Sequence, residues 1–489
     1  HLLVTFIKQY SNFFLMNNCI LLRYGEIGLK SKKVRLKFEQ QYVHAITEAL
    51  KRHGIIKFDL KNFGGRFVLF TKEVEAAIII LQKVPGIQSI SPSHHLQFKV
   101  KEEIFKAITD NYQEKVNNKT FAIRARRIGA HNFTSREIQI EGGSAIYENS
   151  NGVNLTNPEI AINLEIRNND CFLYTEKIQG LGGMSPGSGG KVLLLFSGGI
   201  DSPVAALQLL KRGCQVDFLF VNLVGEKSFA DVAQVYNFLI NNYAYGYSPK
   251  FYHVNGKEIV KKITQEVPDN ARQLALKVFF YQLATQITEE HVAIATGEAL
   301  AQKSTQTLKS LAMIQQSTNK LILRPLLTFD KTEITVMARK IGTFAKSEKV
   351  KEVCGLAEGK VITMPKLDLL QTLPSFEQNL SICKKTKQEF KGIIPVVEEP
   401  PKEKLTKFTT VDMRPKHLQD HSPLKTDEQE PYPFILNNLN KFSKNNSYLL
   451  ICDFGVQSEE VAFLLRQRGI KAAGVSVKNY LKYFLQERN

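Results

Sequence analysis

Residues Val192-Leu-Leu-Leu-Phe196 run without a break into Ser197-Gly-Gly-Ile-Asp-Ser202, and these into the helical stretch Pro203–Arg212. An apolar run of this kind, bounded by turn residues, reads as a buried strand. The two glycines let the backbone turn sharply and bring its N–H groups close to an oxyanion, and the serines add hydroxyl donors. Pro203 suits a first helical turn, where its missing N–H costs little, and the helix N-terminus adds partial positive charge. Strand, glycine turn and helix in this order make a phosphate-binding loop within an α/β domain. Asp201 would ordinarily repel phosphate, so its presence points to a Mg²⁺ ligand or a group that orients the bound molecule.

Outward from this loop, Lys191–Phe196, Val216–Leu223, Phe251–Val254, Val292–Thr296 and Leu321–Leu323 are short apolar runs separated by helical stretches. That alternation predicts a parallel sheet with helices on both faces. Upstream, Cys19–Tyr24, Arg66–Phe70 and Gly86–Pro92 read as strands around helices at Lys33–Arg52 and Glu73–Lys83, a small α+β unit. A second unit follows, with helices at Glu102–Val116 and Ile138–Tyr147 and strands at Thr120–Arg126, Ala161–Arg167 and Cys171–Lys177. Gly180–Gly190 is a glycine-rich loop but not a Walker loop. Val192 follows Gly190-Lys191, Ser185 holds the first glycine position, and the strand comes after the glycines. The proline and charge density of Leu373–Phe408 predicts an extended linker. Thr409–Met413, Tyr448–Cys452 and Ala472–Val477 then read as strands and Ser458–Arg468 as a helix. The expected boundaries are 16–92, 93–180, 181–371, a linker at 372–408, and 409–489.

Lys and Arg number 65 against 47 Asp and Glu, a net charge of +18. That excess favours a polyanionic partner, because basic groups that neutralise phosphates release counterions. The six cysteines, Cys19, Cys171, Cys214, Cys354, Cys383 and Cys452, form no CxxC pair and no close Cys/His cluster. A structural zinc site and a secreted disulfide scaffold are both disfavoured, which leaves thiol chemistry in a reducing cytosol. Leu2–Leu22 is apolar but broken by Lys8, Gln9, Asn12, Asn17 and Asn18, so no membrane span is expected. Met16 is the expected natural start, with residues 1–15 an upstream extension.

Three further stretches carry chemistry. In Leu449-Leu-Ile-Cys-Asp-Phe-Gly-Val-Gln-Ser458 a strand ends at Cys452, ahead of a short loop and a helix. A thiol beside a helix N-terminus and a nest of N–H groups favours the thiolate, and equally a persulfide anion. The alternative is a buried strand cysteine. Lys119–Arg136 clusters Lys119, Arg124, Arg126, Arg127 and Arg136 with His131 and Phe133, which suits phosphate contact and base stacking. A merely solvated basic face is the alternative. The third is the polar loop Thr296-Gly-Glu-Ala-Leu-Ala-Gln-Lys-Ser-Thr-Gln-Thr307, placed at the end of a strand where open α/β sheets bind ligands.

The Ser197–Ser202 loop resembles the PP-loop of the ATP pyrophosphatases, which adenylate a substrate oxygen. Thr296–Thr307 and Arg324-Pro-Leu-Leu-Thr-Phe-Asp-Lys331 are similar to two signatures of the tRNA 4-thiouridine synthases (ThiI), with Ala301 where a glycine is usual. Val411-Asp-Met-Arg414 and the Cys452 loop resemble a rhodanese-like domain. Lys119–Arg136 resembles the THUMP domain, and residues 19–92, with Arg23-Tyr-Gly-Glu-Ile-Gly-Leu-Lys30, the ferredoxin-like domain that precedes it. The resemblance implies an α/β multidomain chain. It also implies that Leu195, Phe196, Ser197, Gly198, Gly199, Asp201, Ser202, Lys277, Gly297 and Gln306 contact ATP, with Mg²⁺ as its companion ion. Cys354, in Lys351-Glu-Val-Cys-Gly-Leu-Ala357, corresponds to a partner cysteine that forms a disulfide with Cys452 during turnover; Val353 stands where the family has tyrosine.

The implied activity is ATP-dependent transfer of sulfur from a Cys452 persulfide to uridine at position eight of tRNA. Asp201 and Cys354 would be the other catalytic groups, and Arg124, Arg126, Arg127 and Arg136 the RNA contacts. A cysteine desulfurase is the implied sulfur donor, and a sulfur carrier protein of thiamine thiazole synthesis a second acceptor. A homodimer is an assembly this family adopts. Two other readings stay open. One is another PP-loop tRNA enzyme, a 2-thiouridylase or lysidine synthetase; the other is a non-catalytic tRNA-binding sulfur carrier.

Overall fold

The computed structural model describes residues 18–287, 289–350, 361–366, 368–395, 407–421 and 424–483. They fall into two compact units: the chain up to Gly189 with Leu210–Gln215 and Asn242–Tyr247, and the remainder. Among the described residues no helix is long and apolar enough to cross a membrane.

The first unit is built on one sheet of order β2-β3-β1-β4-β7-β6-β5, with β8 (Ile178–Gln179) paired to β4. The strands are β1 (Cys19–Tyr24), β2 (Asp59–Asn62), β3 (Phe67–Phe70), β4 (Ile87–Gln97), β5 (Phe121–Ile128), β6 (Ile160–Arg167) and β7 (Asp170–Tyr174). β1 is buried along its whole length. Ile20 and Leu22 pack with Tyr42 and Ile46 of the helix Lys32–Arg52, while Cys19 and Leu21 pack with Val68 and Phe172. β4 extends past Pro92, where the sequence predicts a stop. Its first part pairs with β1 and its last four residues with β7, so the two expected N-terminal units share a continuous sheet. Small, fully buried serines at 89, 91 and 93 make this possible, and Ser91 accepts a hydrogen bond from Arg23 at 2.9 Å. Buried Glu165 ties β1 to β6, holding Arg23 at 2.8 Å and Arg66 at 3.0 Å. Burial raises the Glu165 pKa, but Arg23 and Arg66 outweigh it and hold the carboxyl below the usual range.

The second unit contains a six-stranded sheet of order β13-β12-β9-β10-β11-β14. Its members are β9 (Lys191–Leu195), β10 (Gln215–Asn222), β11 (Lys250–Asn255), β12 (Ala293–Ala295), β13 (Leu321–Leu323) and β14 (Gln388–Lys391). The pairs β13–β12, β12–β9 and β10–β11 are parallel, and β14 closes the edge antiparallel to β11. The chain fills one side of β9 with β10 and β11, then crosses to the other side with β12 and β13. The order therefore reverses between β9 and β12, and ligands bind open α/β sheets at such a switch point. The helix Arg272–Ile287 is buried on most of its faces and forms the centre of this core.

The stretch 372–408, expected as a linker, departs from that reading: Glu377–Thr386 is a helix and β14 joins the sheet. β14 is a polar edge strand with only Phe390 half-buried, so no apolar alternation marks it. A last parallel sheet of order β16-β15-β17-β18 comprises β15 (Thr409–Asp412), β16 (Glu428–Gln429), β17 (Ser447–Cys452) and β18 (Lys471–Ser476). Its core packs Val411, Leu450, Val461 and Leu465, the last two from the helix Val456–Gln467.

Candidate active site

β9 delivers the glycine loop to the switch point. The Phe196 ring is turned into the core, edge-on to Phe218 at 5.2 Å, and its N–H bonds Leu219 O at 2.9 Å. Any contact from Phe196 to a ligand therefore comes from the backbone; Leu195 is half-buried beside it. Gly198 has φ +72°, which favours glycine, and an added Cβ would lie 3.0 Å from Val232. Gly199 N–H reaches Ser197 Oγ at 3.3 Å. The helix starts at Asp201, so Asp201 and Ser202 occupy its first turn. Asp201 accepts from Lys331 Nζ at 2.7 Å. Ser202 is 4% exposed, and its hydroxyl has no hydrogen-bond partner among the described residues. A buried donor of this kind, in a glycine turn at a helix N-terminus, fits an oxyanion.

The second polar segment follows β12 and touches the first. A Cβ on Gly297 would lie 3.0 Å from Asp201 C and Ser202 N, so a side chain here would press on the loop backbone. Glu298 next to it is 1% exposed and is the hub of the site. It accepts from the Tyr281 hydroxyl at 2.6 Å, from Thr296 Oγ1 at 3.1 Å and from Arg324 Nε at 3.1 Å, and it pairs with Lys277 Nζ at 3.2 Å. Burial raises its pKa, but Lys277, the Tyr281 hydroxyl and Arg324 outweigh that and hold the carboxyl below the usual range. The sequence pointed to Lys277 and not to Glu298; the available signal was an acidic residue placed directly after an apolar strand and a glycine. Because the folded-state pKa is depressed, the stabilisation is present above the ordinary carboxylate range and lost as pH falls through the lowered value. Glu298→Ala leaves Lys277 and Arg324 without their counter-charge. It is expected to destabilise this domain by about 3 kcal/mol, read as a lower denaturant midpoint.

Gln306 is 5% exposed with Oε1 unpartnered, at the end of a short 3-10 turn. Ala301 N–H bonds Gln306 O at 2.9 Å, which requires φ +60° at Ala301. A left-handed alanine is strained by about 1 kcal/mol, partly offset by the greater unfolded-state freedom of glycine. Ala301→Gly is therefore expected to raise stability by roughly 0.5 kcal/mol, a small upward shift in the unfolding midpoint.

Cys452 ends β17 and is 3% exposed. Gly455 N–H and Ser458 N–H point at Sγ from 3.1 and 3.3 Å, and the thiol lies 3.3 Å from Ser458 Oγ. The Ser458 hydroxyl donates in turn to Val475 O at 3.0 Å. Gly455, at φ +77°, turns the chain into the helix Val456–Gln467, so the expected nest of donors around the sulfur is present. Asp412 and Arg414 form a buried bidentate pair at the end of the neighbouring strand, the closest contact being 2.7 Å. Cys354 lies outside the described residues.

Arg124 and Arg126 project from β5 into solvent, Arg136 is exposed on the helix Ser135–Ser144, and Arg127 is half-buried. The stacking role expected of Phe133 is corrected: the ring is 5% exposed and belongs to the core with Ile138 and Phe98. His131 is held by Asn168 O at 2.8 Å. One metal-like cluster occurs among the described residues, Asp217, Glu290 and His291. Lys191 and Lys250 already pair with Glu290, and Lys191 opens β9, at the opposite end from the glycine loop.

Three family profiles match the chain: a ferredoxin-like domain of the ThiI proteins over residues 19–91, the THUMP domain over 98–176, and the thiamine biosynthesis protein (ThiI) family over 187–378. A tRNA sulfurtransferase of Blochmanniella pennsylvanica is 32% identical over 90% of this chain and 96% of its own length. A tRNA sulfurtransferase of Thermoplasma volcanium is 33% identical over 92% and 94%. A crystal structure of a 4-thiouridine synthetase–RNA complex with bound ATP superposes with a TM-score of 0.67 at 27% identity, covering 77% of this chain and 99% of that one.

Proposed function

Since the chain belongs to the tRNA sulfurtransferase family, we propose that it uses ATP to move sulfur from a persulfide on Cys452 to uridine at position eight of tRNA, giving 4-thiouridine. The observation that carries the reading is the pairing in one chain of two sites. One is a glycine loop with an orphan buried Ser202 hydroxyl; the other is a cysteine loop with N–H donors converging on sulfur.

ATP is substrate here. Its phosphates are held by the Ser197–Ser202 backbone, Ser202 and Lys277, with Gly297 and Gln306 on the facing segment. Asp201 would hold the Mg²⁺ that accompanies the phosphates; one carboxylate plus substrate oxygens suits that ion. The uridine O4 attacks the α-phosphate, pyrophosphate leaves, and C4 then carries AMP as a good leaving group. The terminal sulfur of the Cys452 persulfide attacks C4 and expels AMP. The Cys354 thiolate attacks Cys452 Sγ, releases 4-thiouridine and forms the Cys354–Cys452 disulfide. A dithiol reductant supplies two electrons to reopen it. In the second route to the same product, the Cys354 thiolate attacks Sγ of the Cys452 persulfide, forming the same disulfide and releasing sulfide, which attacks C4 and expels AMP. A cysteine desulfurase reloads Cys452, and a sulfur carrier of thiazole synthesis is a second acceptor that needs only the rhodanese-like unit at 409–489. The chain acts as a cytoplasmic homodimer whose ferredoxin-like unit spans 16–92, RNA-binding unit 93–180 and ATP unit 181–371.

The test is reconstitution: purified chain, unmodified tRNA, ATP, cysteine and a desulfurase. Near-ultraviolet absorbance of 4-thiouridine is expected only when ATP is present. The basic face makes a further prediction. Arg124→Ala with Arg126→Ala should weaken tRNA binding and lower the salt slope by about one unit per arginine, as measured by filter binding across a salt series.

A further inference from the structure

We propose that Glu460 is a positioning residue: it docks the Cys452-bearing unit on the nucleotide-binding domain and sets the register in which sulfur is delivered. The proposal rests on the sulfurtransferase reading above. Glu460 sits on the helix Val456–Gln467, whose first turn supplies the donors around Cys452, and it is 3% exposed. Among the described residues its carboxylate bonds outside the four-stranded C-terminal sheet and its helix. Oε1 accepts Glu226 N–H at 2.6 Å and Oε2 accepts Lys227 N–H at 2.8 Å, so it caps the helix Glu226–Tyr243 of the other domain. Helix-terminal N–H groups otherwise lack partners, and a carboxylate there complements the helix dipole.

The capped helix follows β10, the strand next to the one that carries the glycine loop. Its lead-in is rigid: Asn222 Oδ1 accepts Val224 N–H and Gly225 N–H at 3.1 and 3.0 Å, and Asn222 Nδ2 donates to Gly225 O at 2.8 Å. An added Cβ at Gly225 would meet Glu460 Oε1 at 2.2 Å, so a side chain here would push the carboxylate out of its place. Tyr432 donates to Val224 O at 3.4 Å, and Lys227 Nζ lies 5.9 Å over the Phe463 ring. A cavity of about 500 Å³ opens beside these contacts, between Val224, Lys227 and Val350 on one side and Val456, Glu459 and Glu460 on the other. Close apolar packing is therefore limited at the seam, and directional hydrogen bonds fix the register. Burial pushes the Glu460 carboxyl above its usual range in spite of its two N–H donors. A carboxylate kept at such a cost serves position more than stability.

The experiment separates the two half-reactions from their coupling in the full chain. Glu460→Ala and Gly225→Ala are compared with wild type in three assays: ATP binding by calorimetry, labelling of Cys452 from radiolabelled cysteine with a desulfurase, and single-turnover thiolation of tRNA. Both variants should bind ATP and load sulfur within about twofold of wild type, yet thiolate tRNA at least about tenfold more slowly, as misplacement of reacting groups predicts. Glu460→Gln keeps one acceptor oxygen and should fall between. Wild-type thiolation rates in both variants overturn the proposal. So does an equal loss of sulfur loading, which marks damage to the C-terminal unit rather than lost register. A wild-type chain that loads sulfur but thiolates nothing overturns the functional reading itself.

Discussion

Cys452→Ala is expected to lower sulfur transfer to tRNA at least about a thousandfold, the scale seen when a sole nucleophile is removed. No other described cysteine can take its place. Burial pushes the Cys19 and Cys171 thiols far above their usual range, raises Cys383 to about 11, and raises Cys214 as well. All four lack the arrangement at Cys452, where the Gly455 and Ser458 N–H groups converge on Sγ. Those donors stabilise negative charge on sulfur, whether thiolate or persulfide. Cys452→Ser keeps an acceptor for the same N–H groups but cannot carry sulfane sulfur, so it should be as inactive as alanine. Both variants should bind ATP and tRNA like wild type, because the glycine loop and the basic strand contain none of these atoms. Single-turnover thiolation alongside the two binding assays checks this.

Asp201→Ala should have the opposite profile. It removes the carboxylate that pairs with Lys331 at 2.7 Å in the first turn of the loop helix. Without it Lys331 loses its counter-charge beside the glycine loop, and on the proposed reading adenylation should slow about a hundredfold, as loss of one preorganised electrostatic group does. Sulfur loading on Cys452 should be unchanged. The check is ATP–pyrophosphate chemistry measured together with persulfide labelling. Equal loss in both would mean that Asp201 acts on the fold and not on the nucleotide.

The glycine loop was legible in the sequence because its physics is local. An apolar strand, two glycines and a helix start occupy adjacent positions, and the structure places them at the switch point between β9 and β12. Cys452 was legible for the same reason. The parts that escaped reading depend on distant partners. Glu298 is an ordinary acidic residue until Lys277, Tyr281 and Arg324 are brought round it. Phe133 sits among basic residues in the chain but inside the core in space. β4 continues through Pro92 because Arg23 and buried serines meet there, and β14 is a strand only because β11 offers it an edge. The contact between Glu460 and the helix at Glu226 joins residues more than two hundred positions apart, and no local pattern announces it.

The most direct measurement uses tRNA from cells that lack this protein. Its near-ultraviolet absorbance from 4-thiouridine should be absent, should return with the wild-type chain, and should not return with Cys452→Ala. Persistence of the modification in the deletion strain would contradict the account at its centre, and restoration by Cys452→Ala would contradict the sulfur relay through that cysteine.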